Sequence, residues 1–348
     1  MSVDEILAKI WAKTELSGPE IGFLLTRRDP RSTDKIFAGA RAMRKMFFGG
    51  KVFLYGFVYF STYCRNDCLF CYYRKSNRQP PRYRKSLEQI LETAADLKNA
   101  GVHLIDLTMG EDNFYLQHPE KLINIVKKVK EATGLTIMVS PGLVESGIID
   151  RLAAAGAEWL ALYQETHNEL LFNKIRVSQD YQKRYRLKKY AQSQGMLVEE
   201  GILNGIGNSV ADIINSLDAM KSLDAAQVRI MTFIPQAGTP MECEADYDCT
   251  AELLTIAVMR LLFPRLLVPA SLDIDGLKGL EKRLNSGANV ITSIIPPGKG
   301  YNGVARAYSD IDEGLRTVEG IQYTLRKCGL EEASADEYKD WVKAKKIP

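Results

Sequence analysis

Residues 51–71, KVFLYGFVYFSTYCRNDCLFC, join an apolar run to three of the chain's six cysteines. The run from Val52 to Phe60 is rich in aromatic and β-branched residues, a composition typical of a buried β-strand. Cys64, Cys68 and Cys71 follow it within a short polar loop. The stretch therefore predicts a strand that carries a metal-binding loop at its carboxyl end.

The three cysteines, spaced C-x3-C-x2-C, favour an iron–sulfur cluster. Such clusters are usually held by four Cys thiolates, and here the fourth is missing nearby, so one iron would keep an open coordination position. An open position distinguishes a reactive metal site from a structural one. The alternatives are buried thiols or a zinc site. Zinc would require a fourth N or S ligand at short spacing, whereas His103 lies far along the chain in a strand-like run.

Length and charge favour one catalytic domain that acts on small molecules. A chain of 348 residues with 46% hydrophobic content accommodates one barrel of about 250 residues plus extensions. The 46 basic and 43 acidic residues give a net charge of +3, which gives no basic field for nucleic acid. No run of about 20 apolar residues or signal-peptide core is evident. We expect a cytoplasmic protein without a membrane partner, since free thiols and a cluster need a reducing compartment.

Strand-like and helix-like segments alternate regularly after the cysteine loop. The strand-like runs are 52–60, 102–109, 135–140, 158–164, 197–203, 226–234, 266–273 and 289–295. The amphipathic segments between them are 86–100, 119–132, 144–155, 181–194, 211–222 and 250–263. This alternation indicates a parallel sheet with crossover helices, and eight strands predict an α/β fold of the (β/α)8 TIM-barrel type.

The flanking segments are predicted to be helical. Residues 1–50 form an N-terminal helical cap, and residues 51–297 form the barrel. A Pro-Pro-Gly-Lys-Gly turn at 296–300 begins the tail, and residues 298–348 are expected to form a helical extension that packs on the barrel and closes one end.

The cysteine spacing, with Phe70 before the last cysteine, resembles the signature of the radical S-adenosylmethionine (SAM) superfamily. The segment from Arg44 to Val52 is similar to the lead-in of its biotin-synthase-like branch. The resemblance implies one [4Fe–4S] cluster on Cys64, Cys68 and Cys71, whose open iron binds SAM. The three cysteines would then be catalytic through the cluster, which cleaves SAM to methionine and a 5′-deoxyadenosyl radical.

An external reductant is also implied, such as a flavodoxin or ferredoxin. The basic run from Arg74 to Lys85 could dock an acidic partner of this kind, and a solvated loop is the alternative.

Active sites of such barrels lie at the carboxyl ends of the strands. The second strand ends in Gly110-Glu111, which resembles the family's "GGE" motif for the SAM amino group, with Met109 in place of the first glycine. An ordinary turn is the alternative. The third strand ends at Ser140, in a small polar turn suited to cofactor contact, and Phe70 belongs to the cluster loop.

In the branch that contains the hydrogenase-maturation enzyme, a glutamate and an arginine both hold SAM. Glu165 and Arg184 stand at the matching positions of this sequence. An acid and an arginine fork complement the ammonium, carboxylate and hydroxyl groups of SAM. Arg176 and Arg186 are nearby competitors for the arginine role, and a solvated helix face is the alternative for any of them.

Charged side chains within the strands are candidates for substrate contact. Asp106 lies in an apolar run and Arg229 within a strand, where a charge must be paired or functional. Three further candidates stand at strand ends: Asp112, Ser271 and Asp273. At the end of the seventh strand, where Ser271 and Asp273 lie, the related enzymes have mostly small neutral residues. Arg229 is expected to bind a carboxylate and the acids to bind amines. An ion pair inside the barrel is the alternative.

The order of motifs from Phe47 to Ile291 most resembles the methylornithine synthase family of pyrrolysine biosynthesis. The implied reaction rearranges L-lysine to (3R)-3-methyl-D-ornithine after hydrogen removal from the lysine side chain, and SAM would be regenerated. There are two alternatives. One is another radical SAM enzyme that acts on a different small amine or amino acid, and the other is a non-catalytic cluster or zinc protein. Cys243, Cys249 and Cys328 suggest no second ligand set, and a monomer is expected.

Overall fold

A computed structural model describes residues 1–244, 249–296 and 315–346. Three helices precede the first strand: α1 (Val3–Trp11), α2 (Gly18–Leu25) and α3 (Pro30–Phe48). Helix α3 begins where Asp29 accepts a hydrogen bond from Ser32 N and where proline occupies the first turn, two features that favour a helix start. The helical prelude predicted from the sequence is present.

Eight parallel strands form the sheet within the described residues. They are β1 (Lys51–Ser61), β2 (Leu104–Met109), β3 (Thr136–Ser140), β4 (Ala157–Ala161), β5 (Leu197–Asn204), β6 (Gln227–Thr232), β7 (Pro269–Ser271) and β8 (Val290–Ile294). Their order is β6-β5-β4-β3-β2-β1-β8-β7. A bridge between Gln227 and Leu267 joins the two ends, so the predicted TIM-type barrel is confirmed.

Helices cross over between the strands. They are α4 (Leu87–Ala100), α5 (Asn113–Gln117), α6 (Pro119–Thr133), α7 (Ser146–Ala154), α8 (Glu169–Ile175), α9 (Tyr181–Ser193), α10 (Val210–Leu223), α11 (Cys249–Leu262) and α12 (Leu277–Asn285). Helix α4 shows how the sequence sets their bounds. Ser86 and Gln89 form a capping box at its start, and Gly101 ends it in the left-handed conformation.

The described part of the C-terminal segment contains α13 (Val318–Lys327), β9 (Glu331–Glu332) and α14 (Ala335–Lys346). Strand β9 and helix α14 cover the amino ends of the barrel strands. Strand β9 pairs with β1, Tyr338 Oη lies 3.0 Å from Tyr55 Oη, and Trp341 stacks on Trp159 with centroids 6.0 Å apart. This end of the barrel is therefore covered, which leaves the carboxyl ends of the strands for a site.

The predicted boundary at 297/298 lies outside the described residues, as does most of the turn at 296–300. The division into domains therefore stays a prediction. None of the described helices has the length and apolar character that a membrane crossing requires.

Candidate active site

The carboxyl ends of the strands surround a cavity of about 260 Å³. Its wall includes the three loop cysteines and every residue predicted to contact SAM: Phe70, Gly110, Glu111, Ser140, Glu165, Arg176 and Arg184. Of the residues predicted to bind substrate, Asp106, Arg229 and Asp273 line the cavity, and Asp112 and Ser271 are not part of its wall.

The cysteine loop is fixed by backbone contacts with the turn after β2 and with the end of α8. Arg65 N donates to Glu111 O at 2.9 Å, and Leu69 N donates to Ile175 O at 2.8 Å. The thiols of Cys64, Cys68 and Cys71 form no disulfide. All three line the same cavity.

This donor set fits a cluster with three protein ligands. Burial raises the pKa of the Cys64 thiol to about 11, and the neighbouring Cys68 adds to the effect. Burial and the two other cysteines also raise the pKa of Cys71 far above its usual range. Three thiolates would repel one another here, so they need a cationic partner, which an iron cluster supplies. Gln179 Nε2 lies 2.9 Å from Cys68 Sγ, and hydrogen bonds to sulfur tune such clusters.

Two glycines allow backbone to approach the loop closely. A Cβ on Gly110 would lie 2.3 Å from Tyr63 O and 3.0 Å from Cys64 Cβ. A Cβ on Gly142, whose φ is +75°, would lie 1.9 Å from Glu111 Cγ. A side chain would not fit at either position. The turn after β2, which carries Gly110 and Glu111, can therefore form part of the wall of the site.

Two buried acid–arginine pairs lie beside the cysteines. Arg184 Nη1 donates to Glu111 Oε1 at 2.9 Å, and Arg176 Nη2 donates to Glu165 Oε1 at 2.6 Å. Burial and repulsion from Arg176 lower the pKa of Arg184 to about 10. The structure thus brings both predicted arginines to the cavity and leaves the competitor Arg186 exposed.

Asp106 is a half-buried carboxyl of the cavity wall that forms no ion pair with a cation of the described residues. Thr108 Oγ1 donates to its Oδ1 at 2.8 Å and Ser140 Oγ at 3.2 Å. Burial raises its pKa to about 7, and the charge of Glu199 acts in the same direction. The group therefore changes charge near neutral pH unless a cation binds beside it.

Arg229 is oriented by an acid that the sequence reasoning missed. Its Nε donates to Glu199 Oε1 at 2.6 Å, and Tyr163 Oη donates to Glu199 Oε2 at 2.9 Å. Burial disfavours the charged guanidinium, but the Glu199 carboxylate outweighs burial and raises the pKa of Arg229. The sequence has two consecutive acids, Glu199 and Glu200, within an apolar strand, and this pattern could have identified Glu199.

The remaining predicted acids are held by other arginines. Asp273 accepts from Arg316 Nη2 at 3.1 Å and from Ser293 Oγ at 2.6 Å. Ser271 Oγ lies 3.3 Å from Asp273 Oδ2, so it supports that carboxylate. Arg316, which was not predicted, comes from the C-terminal segment.

Asp112 is engaged away from the cavity. It accepts from Arg84 Nε at 2.5 Å and from Ser61 Oγ at 2.6 Å, and it caps α5 through Phe114 N.

The charged groups on and directly behind the wall are nearly balanced. Glu111–Arg184 and Glu165–Arg176 line the cavity as pairs, whereas Arg229 and Asp273 line it with their partners Glu199 and Arg316 behind them. Among the described residues, Asp106 is the carboxyl of the wall left outside these pairs. A ligand that brings one net positive charge would therefore balance the site.

Comparison with known proteins agrees with this geometry. The family profile described as "Radical SAM superfamily" matches residues 58–220. A 3-methylornithine synthase from Methanosarcina acetivorans is 43% identical over 336 residues, which cover 97% of this chain and 96% of the relative. The [FeFe] hydrogenase maturase subunit HydE from Thermotoga maritima is 30% identical over 294 residues, which cover 84% of this chain and 83% of the relative.

A solved structure shows the same fold over the full length. The crystal structure of methylornithine synthase (PylB) matches with a TM-score of 0.92 and 41% sequence identity, covering 97% of this chain and 99% of that one. The predicted resemblance is confirmed: the chain belongs to the radical SAM superfamily and, within it, to the 3-methylornithine synthase family.

Proposed function

We propose that this protein is the radical SAM mutase that rearranges L-lysine to (3R)-3-methyl-D-ornithine, the first step of pyrrolysine biosynthesis. The observation that carries the proposal is the charge around the cavity beside the cysteine loop: four acid–arginine pairs on or directly behind the wall and one further carboxyl, Asp106. Lysine, with one carboxylate and two ammonium groups, brings the one net positive charge that this wall lacks.

The cofactors are one [4Fe–4S] cluster, held by Cys64, Cys68 and Cys71, and SAM. When bound, they supply the 5′-deoxyadenosyl radical that removes a hydrogen atom from the substrate. Residues for SAM contact are the acids and arginines nearest the cysteines with the turn residues between them: Phe70, Gly110, Glu111, Ser140, Glu165, Arg176 and Arg184. Their carboxylates and guanidinium forks suit the ammonium and carboxylate of SAM.

Arg184→Ala should weaken SAM binding roughly 10- to 150-fold, because it removes a charge-assisted contact of about 1.5–3 kcal/mol. Glu111 keeps its contact with Arg65 in this variant, so its carboxylate does not lose all cationic support. Anaerobic calorimetric titration with SAM measures the effect. Arg186→Ala, an exposed change on the same helix, is the matched control, and unchanged SAM affinity in Arg184→Ala would refute the assignment.

Arg229 binds the lysine carboxylate in this proposal. Glu199 engages its Nε, and the remaining guanidinium nitrogens stay available to a ligand in the cavity. Asp106 takes one ammonium group, since it has no ionic partner among the described residues. Asp273, which lines the cavity while paired with Arg316, takes the other. These contacts hold the substrate in a water-poor site, which limits side reactions of radical fragments.

Lysine affinity should fall as the pH drops below 7, because an ammonium group binds the ionised form of Asp106. Its pKa is raised to about 7 by burial and by Glu199, and it is held down in part by Thr108, Arg229 and Ser140. Binding at pH 6 must first remove the proton, so the dissociation constant rises about tenfold relative to high pH.

Titration of the SAM-loaded protein with lysine between pH 6 and 8.5 measures this dependence. In Asp106→Asn the affinity should be weaker and flat over the same range. A wild-type affinity that does not vary with pH would argue against the contact.

We further propose that a flavodoxin or ferredoxin reduces the cluster and that the enzyme acts as a monomer in the cytoplasm. The run from Arg74 to Lys85 lies next to the cysteine loop, and Lys75 and Arg78 within it are exposed, which suits an acidic donor. Arg82 instead donates to backbone carbonyls, including Thr62 O, and supports the loop. A reducing compartment keeps the thiols and cluster intact.

A further inference from the structure

A fully buried ion pair lies outside the cavity, on the opposite face of β5 from Glu199. Glu200 and Lys188 each have side chains with 0% exposure, and Lys188 Nζ contacts Glu200 Oε2. Burial raises the pKa of Glu200, but the Lys188 ammonium and then His167 outweigh it and bring the pKa to about 2. Burying such a pair is unfavourable unless its geometry and further hydrogen bonds compensate.

Those further hydrogen bonds go to the turn after β4. Glu200 Oε1 accepts from Gln164 N at 2.9 Å and from Gly201 N at 2.9 Å. Lys188 Nζ donates to Gln164 Oε1 at 3.1 Å, and Gln164 Nε2 donates to Tyr181 O at 3.0 Å. Gln164 is thereby tied to β5 through its backbone and to α9 through its side chain.

The turn held in this way carries Glu165 into the cavity. Glu165 has a φ of +67°, a left-handed conformation that is uncommon for a residue with a Cβ and that surrounding contacts must maintain. Its N donates to Gly201 O at 3.1 Å, and its O accepts from Leu203 N at 2.9 Å. Glu200 thus holds the backbone N–H of Gln164, the residue immediately before this strained one.

Helix α9 connects the same ion pair to Arg184. Arg184 precedes Lys188 by one helical turn, so both side chains leave the same face. Arg184 Nη2 donates to Tyr163 O at 2.9 Å, which also belongs to the turn. Contacts with this turn therefore fix both Arg184 and Glu165.

We propose that Glu200 and Lys188 are positioning residues for SAM binding, which act by holding Gln164 and α9 so that Glu165 and Arg184 face the cofactor. This proposal rests on the assignment of Glu165 and Arg184 to SAM. Neither Glu200 nor Lys188 lines the cavity, so their effect on SAM is exerted through the turn.

Two charge-balanced double variants test the proposal. Glu200→Gln with Lys188→Met removes the ion pair but keeps an oxygen that can accept from Gln164 N. Glu200→Leu with Lys188→Met removes the ion pair and the acceptor together. Both leave no unpaired buried charge, which is the usual cause of large destabilisation when one partner is removed.

Anaerobic titration with SAM, iron content and thermal melting are measured for both variants. We expect cluster content near wild type in both and a SAM dissociation constant at least tenfold higher in the Leu/Met variant than in the Gln/Met variant. Wild-type SAM affinity in both folded variants would show that the pair only stabilises the barrel, and the proposal would be wrong. Affinity lowered equally in both would assign the positioning role to Lys188, whose contact with Gln164 Oε1 both variants lose.

If the Leu/Met variant does not fold, Gln164→Met replaces it, because that change cuts the link between Lys188 and Tyr181 O and leaves the ion pair in place. SAM affinity lowered at least tenfold supports the proposal, and wild-type affinity overturns it. Arg184→Ala is measured alongside. If Arg184→Ala binds SAM normally, the SAM assignment itself fails and this proposal falls with it. If Arg184→Ala is weakened but both double variants bind SAM as tightly as wild type, only the positioning role fails.

Discussion

Cys68→Ser should lose the iron–sulfur cluster and, with it, all cleavage of SAM. In the proposed site, three thiolates on one loop hold the cluster, and two would be too few to hold it. Reconstituted wild type should contain about four irons per chain, and the variant far fewer. Iron and sulfide analysis, with chromatographic detection of 5′-deoxyadenosine under reducing conditions, measures both effects.

Cys243→Ser is the matched control for this change, because Cys243 is an exposed cysteine outside the cavity wall. It should keep wild-type iron content and SAM cleavage. A Cys68→Ser protein that retained both the cluster and SAM cleavage would contradict the ligand assignment.

Arg229→Lys should depress methylornithine formation strongly and leave SAM binding near normal. The guanidinium engages Glu199 through Nε and presents its other nitrogens to the substrate carboxylate. A lysine ammonium keeps the charge but loses the planar fork, so it cannot serve both carboxylates in the same geometry. We expect kcat/KM for lysine to fall roughly 10- to 150-fold, which corresponds to about 1.5–3 kcal/mol of transition-state stabilisation.

Arg186→Lys, on the exposed side of α9, makes the same chemical change away from the cavity and should leave kcat/KM unaltered. Turnover of lysine by Arg229→Lys at the wild-type rate would make Arg229 a structural partner of Glu199. The substrate orientation proposed above would then lose its main support.

The barrel could be predicted because each strand and most crossover helices leave a separate periodic signal. Two strands differ most from their predicted bounds, for physical reasons. The fourth strand was predicted to reach 164 but ends at Ala161, since the chain turns there toward Glu165 at positive φ. The seventh was predicted over 266–273 but spans Pro269–Ser271, and it begins at a proline, which lacks the N–H needed for a regular ladder.

Site residues at strand ends could be found from the sequence, but their partners could not. Arg229 and Glu199 pair across β5 and β6, so their contact depends on the strand register, in which Arg229 lies opposite Gly201. Arg316 reaches Asp273 from a segment far along the chain. Such pairings need the closed barrel, because no local pattern encodes which strand ends meet.

Asp112 shows a limit of arguing from a position at a strand end. The second strand ends at Met109, and the chain then turns away into α5 before it could bring Asp112 to the cavity. There Asp112 acts as a helix cap and as the partner of Arg84. Asp followed by a short helix is a capping signal, so this role was also compatible with the sequence.

Anaerobic incubation of the reconstituted enzyme with uniformly labelled L-lysine, SAM and a reductant tests the central claim most directly. The account predicts a labelled isomer of lysine that co-elutes with authentic 3-methyl-D-ornithine after derivatisation, with SAM regenerated and 5′-deoxyadenosine formed far below the amount of product. Steady accumulation of 5′-deoxyadenosine without any methylornithine would contradict it and would mean that the cavity serves a different small amine.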